Sequence, residues 1–305
     1  MFDRYAPLYA SASQPSTPVD FDVPRGACDC HTHIFGDPQK FPWAAGRVYT
    51  PEPASIAEMR SLHRALHTDR VVIVQPTVYG TDNSCTLNAV KQLGPSARAI
   101  VAIDDKISDA DLDRMHQGGA RGIRLNLETA GQFDPAMAHQ RLEKAIGRAK
   151  NRPDWHIEIY TRLTVIEAIK DQVLASPVPV SFDHFGGAQG ALGVSQPGFD
   201  TLCGLLKSGR AYVKVSAPYR SSKQPPDYAD AAPLAKAFIA ANPDRVIWGT
   251  DWPHPQQIPG RPISEITPLY QIDDGHDLNM VALWAPDPAV RRKVLVDNPT
   301  KLYGF

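Results

Sequence analysis

The 305-residue sequence has little that is typical of secreted, membrane or nucleic-acid-binding proteins. Its four cysteines have no zinc-site spacing, which favours a reducing compartment such as the cytoplasm. No apolar run approaches the ~20 residues of a membrane helix, and no signal-peptide pattern opens the chain. The 32 Lys and Arg residues nearly balance 33 Asp and Glu residues, so no overall field attracts nucleic acid or an anionic membrane. We therefore expect a cytoplasmic protein that acts on a small molecule.

Two common signatures of enzyme folds are also missing. No Gly-x-Gly-x-x-Gly motif follows a predicted strand, which argues against a doubly wound dinucleotide-binding sheet. No Gly-x-Ser-x-Gly motif occurs, which argues against a serine nucleophile on a strand-to-helix turn.

Strand-like and helical patterns alternate along most of the chain. Continuous apolar runs such as 70–77 are typical of strands that are buried on both faces of a parallel sheet. Eight such units predict an α/β fold, a single distorted (β/α)8 TIM barrel over residues 27–305. Residues 1–26 are polar and rich in proline, and are predicted to form an N-terminal arm. The predicted strands are 27–34, 70–77, 98–104, 121–127, 155–161, 178–184, 211–217 and 245–251.

The first predicted strand contains a His-x-His pair, His31 and His33. Alternate side chains of a strand share a face, so Asp29 is predicted to face the same way as the two histidines. Cys28 and Cys30 are predicted to face the other way, as small packing residues. Two imidazoles at a strand end can hold a metal ion or direct N–H donors at a substrate oxygen.

Polar residues also end the other predicted strands. In a TIM barrel the catalytic groups lie where strands end and βα loops begin, so these side chains should meet at one mouth. Asp251 ends the eighth predicted strand and His184 ends the sixth. The remaining candidates are Thr77, Arg124, Tyr160 and Arg220.

Several segments resemble, in chain order, the motifs of the amidohydrolase superfamily (amidohydrolase 2 type). Within it, they are similar to the branch of 2-pyrone-4,6-dicarboxylate lactonase and related lactone hydrolases. The resemblance implies hydrolysis of a lactone ring, in which strand-end histidines polarise the carbonyl group and the last aspartate activates water. The segments are 31–33, 74–83, 121–124, 183–184, 248–255 and 295–305.

The residue types suit this chemistry. Opening a lactone places negative charge on the carbonyl oxygen, which needs preorganised N–H groups such as those of His31, His33 and His184. The attacking water must lose a proton, and Asp251 is the carboxylate best placed to accept it. The predicted catalytic residues are therefore these three histidines and Asp251.

Other candidates are predicted to bind the substrate. Arg124 and Arg220 suit a carboxylate or a similar oxyanion, and Tyr160 and Thr77 donate single hydrogen bonds. The pyrone dicarboxylate enzymes carry a second arginine shortly after the one that matches Arg124, but segment 125–132 contains none. We therefore expect a sugar-acid or muconolactone-type lactone with one anionic group to be preferred over the pyrone dicarboxylate.

The resemblance leaves more than one cofactor and activity open. One Zn²⁺ or other divalent cation would bind His31, His33 and Asp251 with His184 nearby, but a site that requires no metal is favoured. The alternatives to a lactonase are a metal-dependent decarboxylase of the superfamily, a lactone isomerase and a non-catalytic barrel that binds a small acid. The oligomeric state does not follow from the sequence.

Overall fold

The computed structural model describes residues 12–129 and 131–305. Eight strands of this part form one parallel sheet, in which each strand pairs with the next, and two short strands pair separately. In chain order the strands are β1 (Cys28–Thr32), β2 (Thr50–Pro51), β3 (Arg70–Val74), β4 (Ala97–Val101), β5 (Ala120–Asn126), β6 (His156–Tyr160), β7 (Val180–Phe182), β8 (Ala211–Ser216), β9 (Val246–Gly249) and β10 (Ile266–Thr267). The large sheet contains β1 and β3 to β9, and β10 pairs with β2.

Helices follow most of the barrel strands. The first helix begins with a capping box, in which Ser55 and Glu58 bond each other's backbone, and it buries Met59 and Leu62. In chain order the helices are α1 (Ile56–Ala65), α2 (Ser84–Leu93), α3 (Asp109–Gln117), α4 (Pro135–Ala149), α5 (Leu163–Ala175), α6 (Phe199–Lys207), α7 (Pro218–Ser221), α8 (Ala232–Ala241), α9 (Asp274–Trp284), α10 (Pro288–Arg292) and α11 (Asn298–Tyr303). No helix among the described residues is long and apolar enough to cross a membrane.

The sheet closes between its first and last strands. Thr32 pairs in parallel with Trp252, just beyond β9. The Asp251 N–H donates to the His31 carbonyl oxygen and the His33 N–H donates to the Trp252 carbonyl oxygen, both at 2.8 Å. The predicted (β/α)8 barrel is therefore confirmed. Its closure brings the His-x-His segment beside the end of β9.

The pairing of β1 with β3 contains one irregularity. Asp29 pairs with Val71 and Thr32 pairs with Ile73, so three steps along β1 match two steps along β3. The extra residue is a β-bulge, which interrupts the strict alternation of side chains.

The bulge overturns part of the predicted arrangement of side chains on the first strand. Cys28 and Cys30 are buried with alternate residues of several strands, which places them inside the barrel. Asp29 instead accepts hydrogen bonds from Thr250 and, on α1, from His63. The prediction that Asp29 shares a face with the histidines is therefore wrong, because the bulge changes the face between Asp29 and His31.

The N-terminal segment contacts the C-terminal part of the barrel. Ser16 and Thr17 donate hydrogen bonds to Asp273, which caps α9. The Trp252 indole N–H donates to the Ser13 carbonyl oxygen at 3.0 Å. Residues 12–17 of the predicted arm therefore lie beside the closure of the sheet, and residues 1–11 lie outside the described part.

Candidate active site

Four of the predicted side chains meet at the carboxyl ends of β1, β7 and β9. The Nε2 atoms of His33, His31 and His184 lie 3.3, 3.5 and 3.7 Å from Oδ1 of Asp251. All four residues are buried, with relative exposures of 0–3%. The structure therefore forms one compact histidine–aspartate cluster, although His31 and Asp251 are 220 positions apart in the sequence.

The backbone at two of these residues is unusual. His184 and Asp251 each lie two residues beyond a strand, and their φ angles are 48° and 68°. Left-handed backbone at residues other than glycine costs about 1–3 kcal/mol and is concentrated at functional sites. The predicted strands 178–184 and 245–251 thus end two residues early, because the chain turns at these polar residues.

The two oxygens of Asp251 have different surroundings. Oδ2 accepts hydrogen bonds from the Tyr219 hydroxyl at 2.6 Å and from Nε of Arg220 at 2.7 Å. Oδ1 has no hydrogen-bond partner among the described residues. Burial acts to raise the pKa of Asp251, but Arg220 and the nearby histidines outweigh it and hold the pKa well below its usual range. Asp251 is therefore an ionised carboxylate with one oxygen free.

The histidines of the cluster are uncharged at neutral pH. Burial lowers the pKa of His184 to about 4, and it also lowers the pKa values of His31 and His33. A buried imidazole loses hydration that its charged form needs, so the neutral form is favoured.

This burial predicts the acid limb of the pH profile. We expect kcat/KM to stay level as the pH falls through ~6.5, the ordinary histidine pKa, and to decrease around pH 4, where His184 becomes charged. In the unfolded chain these rings titrate near 6.5, so the unfolded state binds more protons below that pH. The free energy of unfolding should therefore decrease as the pH falls from about 6.5 towards 4. A rate limb centred near pH 6.5 would contradict the assignment of neutral histidines.

A lysine that the sequence analysis did not single out lies beneath the histidines. Lys214 on β8 is fully buried, and its ammonium lies 3.0 Å from Nδ1 of His31. The same ammonium lies 2.5 Å from Glu158 and 3.2 Å from Asp183. Burial acts against the charge, but these two carboxyl groups outweigh it and raise the pKa of Lys214. The only signal in the sequence is a charged residue inside the otherwise apolar strand Ala211–Ser216.

Glu158 is a second buried ionisable group near the cluster, 0% exposed. It lies on β6, deeper than Tyr160, and burial together with Asp183 raises its pKa to about 8. Glu158 is therefore mostly protonated at neutral pH, and Lys214 and Asp183 carry opposite charges beside it. This group of charges lies directly below His31.

The predicted substrate-binding residues line a cavity of about 180 Å³ above the cluster. Thr77, Arg124, Tyr160 and Arg220 all contribute to its wall. The ring of Tyr160 packs edge-on against His184, with 4.8 Å between their centroids. Further polar residues of the wall, absent from the predicted set, are Tyr49, Asn126, Glu128, Thr129, Gln256 and Gln257.

The two arginines of the cavity differ in how many of their N–H donors already bond to other residues. Arg220 donates from Nε to Asp251 and from Nη2 to the Pro255 carbonyl oxygen at 2.8 Å. Arg124, only 8% exposed, donates from Nη1 to the Gln75 carbonyl oxygen at 2.6 Å, and its Nε has no partner among the described residues. Arg124 therefore has more donor capacity left for a ligand.

A carboxylate at the cavity wall is already paired. Glu128 accepts hydrogen bonds from Arg162, the two shortest at 2.8 Å from Nη2 and 3.0 Å from Nε. The pair offsets the charge of both residues, so neither presents an uncompensated charge to the cavity.

Two groups of residues in the described chain have the composition of a metal site. One contains His31, His33 and Asp251, and the other contains His31, Asp183 and His184. The ligand atoms of each group lie within 4.8 Å of one another. Both groups share His31.

The fold and the site together define a TIM-barrel enzyme with its histidines and aspartate at the carboxyl ends of the strands. The amidohydrolase family model matches residues 28–305, so the chain belongs to the amidohydrolase family. A 4-sulfomuconolactone hydrolase from Hydrogenophaga intermedia is 34% identical over 290 residues, covering 94% of this chain and 91% of that protein. A 2-pyrone-4,6-dicarboxylate hydrolase from Comamonas testosteroni is 34% identical over 305 residues, covering 97% and 94%. A protein from Agrobacterium tumefaciens with an apo crystal structure has 26% sequence identity and a TM-score of 0.77, and the match covers 95% of this chain and 98% of that chain.

Proposed function

We propose that this amidohydrolase is a lactonase that opens the ring of a small acidic lactone with water. The observation that carries the proposal is Oδ1 of a buried, ionised Asp251, which lies 3.3–3.7 Å from three imidazole nitrogens and has no hydrogen-bond partner in the described part of the chain. The two relatives with 34% sequence identity over nearly their whole length are named as lactone hydrolases. Their names support the same reaction here. A decarboxylase has less support.

The geometry provides for each proton and charge of the reaction. Asp251 accepts a proton as the water oxygen bonds to the carbonyl carbon, and N–H donors of the histidine cluster stabilise the negative charge on the carbonyl oxygen. The ring C–O bond then breaks, and the ring oxygen takes the proton back. The balance is one lactone and one water giving one hydroxy acid.

Arg220 stabilises the ionised form of Asp251 and so lowers its pKa, which makes this carboxylate a weak base. Much of the rate acceleration should therefore come from stabilisation of the carbonyl oxygen. Single N–H donors of this kind contribute about 10²–10³-fold in related chemistry.

A lactone panel tests the reaction. Purified protein incubated with sugar-acid lactones, muconolactones and the pyrone dicarboxylate should release acid in a pH-indicator assay, and the product should gain the mass of one water. An isomerase would convert a lactone without acid release or a change in mass. Absence of turnover over the whole panel would contradict the proposal.

We also propose that ring opening needs no bound metal. Both candidate metal groups include His31, whose Nδ1 lies 3.0 Å from the Lys214 ammonium. A divalent cation held by His31 and Asp183 would lie beside a buried positive charge, which is electrostatically unfavourable. The group of His31, Asp183 and His184 thus does not fit a divalent ion well, and no step of the reaction is assigned to one.

Removal of bound metal tests whether the reaction requires it. Dialysis against a strong chelator should leave kcat/KM unchanged, and addition of Zn²⁺ should not increase it. Activity that is lost on dialysis and restored by Zn²⁺ would overturn the metal-free mechanism.

The cavity supports a substrate with one anionic group. Nε of Arg124 has no hydrogen-bond partner within the described chain, while Arg220 donates to Asp251 and Arg162 donates to Glu128. We propose that Arg124 binds the anion and that the amides and hydroxyls of Asn126, Gln256 and their neighbours bind uncharged polar groups of the substrate.

We therefore expect kcat/KM to be about ten- to a hundredfold higher for a mono-anionic lactone than for the pyrone dicarboxylate, since a missing charge-assisted pair is worth ~1.5–3 kcal/mol. Arg124→Gln should lower kcat/KM for both substrates, because each loses the partner of one anionic group, and Arg141→Gln, on α4 outside this cavity, is the matched control. A clear preference for the dicarboxylate would contradict this specificity.

A further inference from the structure

The two histidines of the His-x-His pair have different partners at Nδ1. In His31 this nitrogen lies 3.0 Å from the Lys214 ammonium. In His33 it lies 2.8 Å from the carbonyl oxygen of Val74. An ammonium group can only donate a hydrogen bond and a carbonyl oxygen can only accept one. The two neighbours therefore require opposite protonation of the two rings.

We propose that His31 and His33 hold opposite tautomers and have different roles in ring opening, an inference that rests on the lactonase function. Lys214 donates to Nδ1 of His31, so the ring proton of His31 lies on Nε2. His33 donates from Nδ1 to Val74, so its Nε2 carries a lone pair. Lys214 is thus a positioning residue that acts through His31.

The Nε2 atoms of His31 and His33, which lie 3.5 and 3.3 Å from Oδ1 of Asp251, then provide complementary chemistry. Nε2–H of His31 is buried without a hydrogen-bond partner among the described residues, which suits a donor to the developing carbonyl oxyanion. Nε2 of His33 is an acceptor 3.3 Å from Oδ1 of Asp251, which is also an acceptor. The proton that leaves water is shared by His33 and Asp251, and the same proton returns to the ring oxygen when the C–O bond breaks.

A second neighbour of His31 Nδ1, the carboxylate of Asp183, would favour the opposite tautomer. Oδ1 of Asp183 lies 3.3 Å from Nδ1 of His31 and would accept a proton from it. His31 would then carry its proton on Nδ1, as His33 does, and neither ring would have an N–H beside Oδ1 of Asp251. The Lys214 contact is shorter, at 3.0 Å, and the ammonium already lies within 3.2 Å of Asp183.

Nuclear magnetic resonance of the wild-type protein tests the tautomers without any substrate. Protein labelled with ¹⁵N at its histidine rings is observed at pH 7 by long-range ¹⁵N–¹H correlation, which shows which nitrogen carries the proton. Spectra of His31→Gln and His33→Gln assign the two rings. We expect Nε2–H for His31 and Nδ1–H for His33, and the same tautomer in both rings would overturn the proposal. A protein that failed to hydrolyse lactones would still give this result, so the two proposals fail separately.

A lysine variant tests the consequence for the reaction. Lys214→Met should move the His31 proton to Nδ1 and lower kcat about 10–100-fold, as is typical for loss of a group that orients an active-site histidine, with KM little changed. The double variant Lys214→Met/Glu158→Gln also removes one of the two buried carboxyl groups that contact Lys214, which limits the loss of stability. Lys207→Met, at the exposed end of α6, is the matched control. A folded double variant with wild-type kcat and an unchanged His31 signal would overturn the role of Lys214.

Discussion

Replacing Asp251 with asparagine is expected to lower kcat on an acidic lactone by about 10²–10⁴-fold, the usual contribution of a positioned general base. The amide keeps the shape of the side chain and a carbonyl oxygen, but it cannot accept the proton of the attacking water. Among residues 12–129 and 131–305, Oδ1 has no hydrogen-bond partner and Oδ2 accepts from Tyr219 and Arg220. The substitution should therefore impair proton transfer more than it disturbs the surrounding structure. Steady-state kinetics on the substrate identified in the lactone panel gives the measurement.

Two controls separate the chemistry of Asp251 from its contribution to folding. Asp251 pairs with Arg220, so urea denaturation of Asp251→Asn should accompany the kinetics. Asp287→Asn changes an aspartate that caps α10, away from the cavity, and should retain full activity. Near-wild-type turnover by a folded Asp251→Asn protein would show that another group activates the water.

Replacing Asp29 with alanine is expected to reduce the free energy of unfolding by about 3–5 kcal/mol, because buried donors lose their charged acceptor. Oδ1 of Asp29 accepts the backbone N–H groups of Thr250 at 3.0 Å and of His31 at 3.2 Å. Oδ2 accepts the Thr250 hydroxyl at 2.7 Å. These bonds join β1 to the end of β9 beside Asp251, so kcat should fall as well.

Urea denaturation measures this change through the midpoint, at an unchanged slope. Asp105→Ala is the matched control, because Asp105 is 75% exposed and pairs with Lys144 on the surface. Its loss should leave the stability nearly unchanged, since exposed ion pairs contribute little. If Asp29→Ala were as stable as the control, the hydrogen bonds across the barrel closure would not be important for folding.

The alternation of apolar strands and amphipathic helices was sufficient to predict the barrel. The strand ends were predictable for the same reason, because in a closed parallel barrel all carboxyl ends lie at one mouth. His31, His33, His184 and Asp251 could therefore be expected to meet, and the structure brings them within 3.7 Å of one carboxylate oxygen. Tyr219 could not be expected, since its hydroxyl reaches Asp251 from a four-residue helix with no sequence pattern of its own.

The sequence by itself determined which residue types end each strand and hence the class of chemistry at the mouth. Only the tertiary structure decided the side on which Asp29 lies, because one extra residue in β1 changes the face of every side chain after it. It also decided the protonation of the two histidines, because the neighbours of their Nδ1 atoms, Lys214 and Val74, come from other strands. A periodic pattern records burial along one strand, whereas a tautomer depends on atoms that the closing of the barrel brings into contact.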